Sequence, residues 1–95
     1  MPAITRLGEI ASGHGCYPTH PAIQASTNVF VEGIAPVRQG DMYAPHACSP
    51  DVHVGALAVG SATVFVNGQQ VGRLGDPVSC GSTVMQAAAT VFAGG

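Results

Sequence analysis

The stretch Thr63-Val64-Phe65-Val66-Asn67-Gly68-Gln69-Gln70-Val71-Gly72-Arg73-Leu74-Gly75-Asp76 carries the reading of the fold. Thr63 to Val66 is β-branched and aromatic, a composition that fits a strand. Asn67-Gly68 is a strong signal for a two-residue hairpin turn, because both residues tolerate positive φ. Gly75 suits a second turn, where a side chain would resist the left-handed backbone. Working outward, both halves of this stretch recur. Arg6-Leu7-Gly8-Glu9 and Arg38-Gln39-Gly40-Asp41 repeat the Arg-x-Gly-acid phrase. Thr27-Asn28-Val29-Phe30-Val31-Glu32-Gly33 and Thr90-Val91-Phe92-Ala93-Gly94 repeat the strand phrase. The 95 residues therefore read as one domain, 1–95, of three units at about 6–37, 38–72 and 73–95.

The three arginines are the only lysine or arginine residues, and three of the five acids share their motif. Six of eight formal charges thus occupy repeat-equivalent positions. The motif Arg6, Gly8, Glu9, with Arg38, Gly40, Asp41 and Arg73, Gly75, Asp76, predicts a turn at the glycine, with arginine and acid paired locally or across units. The 13 glycines and 7 prolines leave little room for helix. Val84 to Thr90 is the one segment with a helical look. It lies where the other units have loop and incoming strand, so strand or turn is expected there.

Charged residues make up 8% of the chain and the net charge is −2. A nucleic-acid or anionic-membrane partner would demand a cationic surface, which this chain lacks. Apolar residues reach 46%, too many for a disordered chain of low net charge. So little charge predicts that part of the surface is covered by a partner. No stretch approaches 18 apolar residues, and Met1 to Arg6 lacks the pattern of a signal peptide. The expectation is synthesis in the cytoplasm and export by a route other than general secretion. The chain ends at Gly94-Gly95, so no fused effector is expected.

At Ser61-Ala62-Thr63-Val64-Phe65-Val66-Asn67-Gly68 and Gly75-Asp76-Pro77-Val78-Ser79-Cys80 the sequence resembles the PAAR-repeat family. The naming tetrapeptide is degraded here to Ala35-Pro36-Val37-Arg38 and Gln70-Val71-Gly72-Arg73. The resemblance implies an all-β fold: a cone-shaped, pseudo-threefold array of three β-hairpin repeats with a metal-bound tip. It implies one monomer seated on the blunt end of a trimeric β-helical spike, as in type VI secretion systems and contractile phage tails. The tip would be assembled on that needle and leave the cell with it, with effector cargo as a further partner.

Register points to the metal ligands. His14 follows Glu9 by five residues, His46 follows Asp41 by five, and Cys80 follows Asp76 by four. Equivalent positions converge if the units close around an axis. Three such donors plus a fourth make a tetrahedral site. The fourth is His53 or His20. The middle loop is the longest, with 25 positions from Arg38 to Thr63 against 21 and 17 in the other units, and can reach back. The family's tips are closed by three histidines and one cysteine, often with a histidine near a glycine in this loop. His53-Val54-Gly55 fits that, leaving His20 in reserve beyond Pro18, where Thr19-His20 is expected to run away from the axis. Zinc is the expected ion, with iron as an alternative. Cys16 and Cys48 are also in register; they can pair, substitute as ligands or pack as small buried residues, and a cytoplasmic origin favours packing.

The carboxylates belong to the repeat motif, and no phosphate loop or serine-nucleophile motif is present. An enzyme is therefore not expected. The expected function is a structural tip that sharpens a spike for puncturing a target envelope. The alternative is a free-standing metal-binding adaptor linking cargo to the spike.

Overall fold

In a computed structural model describing residues 1–95, the three Arg-x-Gly-acid phrases form three copies of one turn. The acid's amide donates to the arginine carbonyl at 3.0, 2.9 and 3.0 Å in the three units. The glycine between them has φ of 84°, 92° and 87° at Gly8, Gly40 and Gly75. Each is left-handed, which a Cβ would oppose. Each arginine then clamps its acid with a forked pair of bonds, Arg38 Nε to Asp41 at 2.9 Å and Arg38 Nη2 at 3.0 Å, for example. Arg6–Glu9 and Arg73–Asp76 repeat the geometry. A bidentate, partly buried pair is stronger and more directional than a surface contact.

The units close on themselves. Val37 N donates to Thr5 O, Thr5 N to Gly72 O, and Gly72 N to Val37 O, at 2.8–3.0 Å. Each of these residues directly precedes an arginine. Three equivalent peptides thus bond in a ring about a pseudo-threefold axis. A second ring links Leu7 N to Ala35 O, Gln39 N to Gln70 O and Leu74 N to Ala3 O, each at 2.8 Å. These rings join residues far apart in sequence, so the repeats form one body.

Two apolar layers flank the rings. One contains Ala11, Tyr43 and Val78, each two residues after a motif acid, with Ala22, Leu57 and Val84 on the returning segments. Tyr43 and Leu57 come from the second unit, where the first unit has the alanines Ala11 and Ala22. The other layer contains Ile4, Val71, Val31, Val66, Ala88 and Ala93. Both layers are small, as expected for a chain of this length. Tyr43 is fully buried, and its hydroxyl has no hydrogen-bond partner. Burial pushes its pKa up to about 12; nearby Thr5 opposes this slightly, although the Thr5 hydroxyl donates to Gln86 O at 2.9 Å.

The regular elements are short antiparallel hairpins, and no helix forms. β1 (Ile10–Ala11) pairs with β2 (His20–Pro21), β3 (Met42–Cys48) with β4 (Asp51–Ala56), and β5 (Phe65–Val66) with β6 (Gln69–Gln70). Asn67-Gly68 turns between β5 and β6 with φ of 54° and 78°, and Glu32-Gly33 matches it with 52° and 80°. The first unit's version is looser, with Val31 bridged to Ile34. The third unit's hairpin joins the two chain ends: Ala3 bridges Phe92, and Ala93 N donates to Pro2 O. Val84 forms a strand bridge to Ala11, and the segment to Thr90 is irregular. The molecule is elongated, 38 × 24 × 21 Å. The three valine-phenylalanine segments pack around one apolar layer, and the variable loops leave from the other.

Candidate metal centre

The variable loops bring four donors together. His14, His46, His53 and Cys80 each offer one ligand atom, and these atoms all lie within 4.8 Å of one another. His14 opens a tight turn: its amide and that of Tyr17 exchange hydrogen bonds at 3.0 and 2.9 Å. His46 and His53 are direct cross-strand partners in the β3–β4 hairpin. Cys80 sits in the turn between Val78 and Ser82, where Gly81 N donates to Val78 O.

An irregularity in β3 aims His46. Tyr43 pairs with Gly55 and His46 with His53, so β3 has one residue more than β4 between these pairs. Strict alternation would send Tyr43 and His46 to opposite faces. The bulge at Ala44-Pro45 lets both point inward, and proline is tolerated there because ladder bonding is interrupted. Both side chains are buried.

The donor atoms lie close enough together to share one ion, with the His46–His53 pair closer than an ion would set it. Bonds of about 2.0–2.1 Å to nitrogen and about 2.3 Å to sulfur in a tetrahedron place donor atoms roughly 3.3–3.6 Å apart. The His53 and His14 Nε2 atoms are 3.2 Å apart, and those of His46 and His53 are 2.5 Å apart. The His46 Nδ1–H donates to Pro18 O at 2.7 Å, which leaves its Nε2 with a lone pair. Nitrogens crowded in this way repel unless a proton or cation sits between them. The bond to Pro18 is also the kind of outer partner that orients a ligating imidazole. Desolvation, followed by the neighbouring His46 and His14, lowers the His53 pKa, which favours the neutral, donating form.

His20 differs from expectation. It is buried, 2% exposed, rather than directed away from the cluster. Its Nδ1–H donates to Ala44 O at 2.8 Å, and its Nε2 accepts from the Ser82 hydroxyl at 3.1 Å. Its ring stacks on His46 at 3.9 Å, and Cys80 Sγ lies 3.9 Å from its Nε2. Pairing of β2 with β1 turns His20 inward, which the flanking prolines did not reveal. Burial lowers its pKa, the backbone bond to Ala44 opposing. With both ring nitrogens engaged, His20 supports the cluster from behind. Tyr17, which the sequence did not single out, stacks on His53 with ring centroids 4.0 Å apart. Nothing in its sequence neighbourhood signals this role.

Cys16 and Cys48 also correct an expectation. They are joined by a disulfide, with Cα atoms 5.4 Å apart, instead of packing as free thiols. Each lies two residues beyond a converging histidine, so the convergence that gathers His14 and His46 gathers them too. Cys80 is the one free cysteine.

A family model described as the PAAR motif matches residues 7–86 of the 95. No curated protein matches the chain.

Proposed function

Since the chain belongs to the PAAR-motif family, whose members are associated with the tips of secretion spikes, we propose that it caps a trimeric β-helical spike as its single, metal-closed point. The observation that carries this reading is the ring of Thr5, Val37 and Gly72. A single chain with three equivalent faces can seat on three identical chains without symmetry mismatch. The hairpin end offers suitable chemistry. Phe30, Phe65 and Phe92 occupy equivalent positions there and are 64%, 55% and 49% exposed. Apolar groups so placed are best explained by a covering partner.

At the other end, His14, His46, His53 and Cys80 would hold one ion, zinc fitting a closed set of three imidazoles and a thiolate, with iron as an alternative. The ion would supply four bonds among loops that bury little apolar surface. Those four ligands would fill a tetrahedral shell, which suits a structural role. His46 is held by Pro18 and His20, and Tyr17 stacks on His53. The product is a stiff point for mechanical puncture, made in the cytoplasm and carried outward on a secretion needle or phage tail. Cargo is a further partner in this reading.

The test is reconstitution with a trimeric spike, read by native mass spectrometry and elemental analysis. One chain per trimer with one bound transition metal is expected. Three chains per trimer would refute the cap, and metal without spike binding would favour the free-standing adaptor.

A further inference from the structure

The disulfide stands apart from the repeat design. Cys16 occupies the tip of the His14–Tyr17 turn and is exposed. Cys48 ends β3, where it pairs with Asp51 across the hairpin turn. The bond closes a loop of sequence separation 32 and ties the turn that carries His14 to the hairpin that carries His46 and His53, beside the hydrogen bond from His20 to Ala44 O. Each sulfur is two residues from a histidine of the cluster. The third cysteine, Cys80, faces the cluster and stays free, so pairing consumes two thiols and spares the one that can ligate.

We propose that Cys16 and Cys48 form an oxidation-driven clamp: a thiol pair when the chain is made, and a covalent staple across the metal-holding loops once it reaches an oxidising compartment. The inference rests on the metal-closed tip proposed above. Its oxidant is a disulfide donor, either an oxidoreductase disulfide or a small-molecule one. The Cys16 thiol, more exposed than Cys48, attacks a donor sulfur, loses its proton to solvent, and forms a mixed disulfide as the first donor thiol leaves. Cys48 then attacks the Cys16 sulfur, forming the intramolecular bond and releasing the second donor thiol. Two electrons pass to the donor, and two protons leave the cysteines for the released thiols. The bond restricts the separation of the His14 and His46 loops in the metal-free chain. Less ordering then remains for rebinding, and fewer openings let the ion escape.

The experiment uses the full chain loaded with zinc, either kept in a thiol reductant or oxidised with glutathione disulfide. Alkylation after denaturation in a chelator should label three cysteines in the reduced sample and one in the oxidised sample. Zinc transfer to a chromogenic chelator should be roughly 10-fold to 100-fold slower from the oxidised protein. The Cys16→Ser/Cys48→Ser variant should release zinc at the reduced rate in both conditions. Three labels after oxidation, or equal release rates from both states, would overturn the clamp and spare the metal reading. Faster loss from the double variant than from reduced wild type would overturn it in favour of thiol ligation. Failure to take up zinc in either state would overturn both readings.

Discussion

At the hairpin end the three units are near copies, and at the loop end they are not. Val29-Phe30-Val31, Val64-Phe65-Val66 and Val91-Phe92-Ala93 share valine and phenylalanine in the same order, with alanine for the last valine in the third. Ser26 and Ser61 even cap equivalent turns, each accepting from the amides two and three residues on. The loops from Ile10 to Pro21, from Met42 to Ala56 and from Pro77 to Thr83 share a register but differ in length and content. A threefold arrangement supplies equivalent groups in threes, whereas a tetrahedral ion takes four. The longest loop breaks the symmetry by contributing two histidines, His46 and His53, across one hairpin. The hairpin end can stay symmetric, while the loop end, with four donors to gather, cannot.

The sharpest way to break this comparison is to remove the fourth donor. His53→Ala should strip the metal and forfeit its stabilisation, about 4 kcal/mol at a free metal concentration 1,000-fold above Kd. His20→Ala should keep the metal and still cost about 1–3 kcal/mol, because it leaves Ala44 O and the Ser82 hydroxyl without their buried partner. Elemental analysis and melting curves on both variants check this. Metal loss from His20→Ala and retention by His53→Ala would reverse the assignment.

Between the two ends lies the axis, where only two of three equivalent positions carry inward side chains. A Cβ on Gly72 would lie 2.6 Å from Leu57 Cδ2 and 3.0 Å from Thr5 Cγ2. Gly72→Ala should therefore cost about 1–3 kcal/mol, measured by urea denaturation, with metal content unchanged. A neutral result would mean that the ring tolerates full threefold filling.

Much of this architecture was legible because it is local. The Arg-x-Gly-acid turns and the Asn67-Gly68 hairpin depend on residues within four positions of one another. The gathering of His14, His46 and Cys80 was readable at second hand, from register plus the assumption of closure. The inward turn of His20 was not. It depends on β1–β2 pairing and on Ala44 O, next to the β3 bulge, and neither follows from nearby residues. The Cys16–Cys48 bond was one of three readings the register left open, and the expected cytoplasmic origin weighed against it while loop convergence favours it.

Tyr43 tests the layer nearest the loops. Its hydroxyl is buried without a partner, so Tyr43→Phe should leave the neutral-pH fold stable or raise stability by about 1 kcal/mol. The pH dependence has a definite sign. The folded protein holds this proton to about pH 12, above the ordinary tyrosine value. The associated stability is complete below roughly pH 10 and is lost as pH rises from there through about 12. Urea midpoints at pH 8 and pH 11 should diverge for wild type, and that loss should be smaller in Tyr43→Phe. An equal alkaline loss in both would assign it to other groups.

The smallest expected effect on stability belongs to the hairpin end. Phe65 is mostly exposed and lies on β5 next to Val66, whose side chain points into the core. Alternation along the strand turns the phenylalanine outward, so Phe65→Ser removes little buried area. Its melting temperature should correspond to a change within about ±0.5 kcal/mol, and its metal content should equal wild type. Binding to a trimeric spike should nevertheless weaken by tenfold or more, the cost of losing an aromatic anchor worth at least about 1.4 kcal/mol. Phe30→Ser and Phe92→Ser should weaken it similarly, since the proposed seating would set each against an equivalent face of the trimer. A marked loss of stability would mean that Phe65 supports the fold. Unchanged spike affinity in all three variants would place the interface elsewhere.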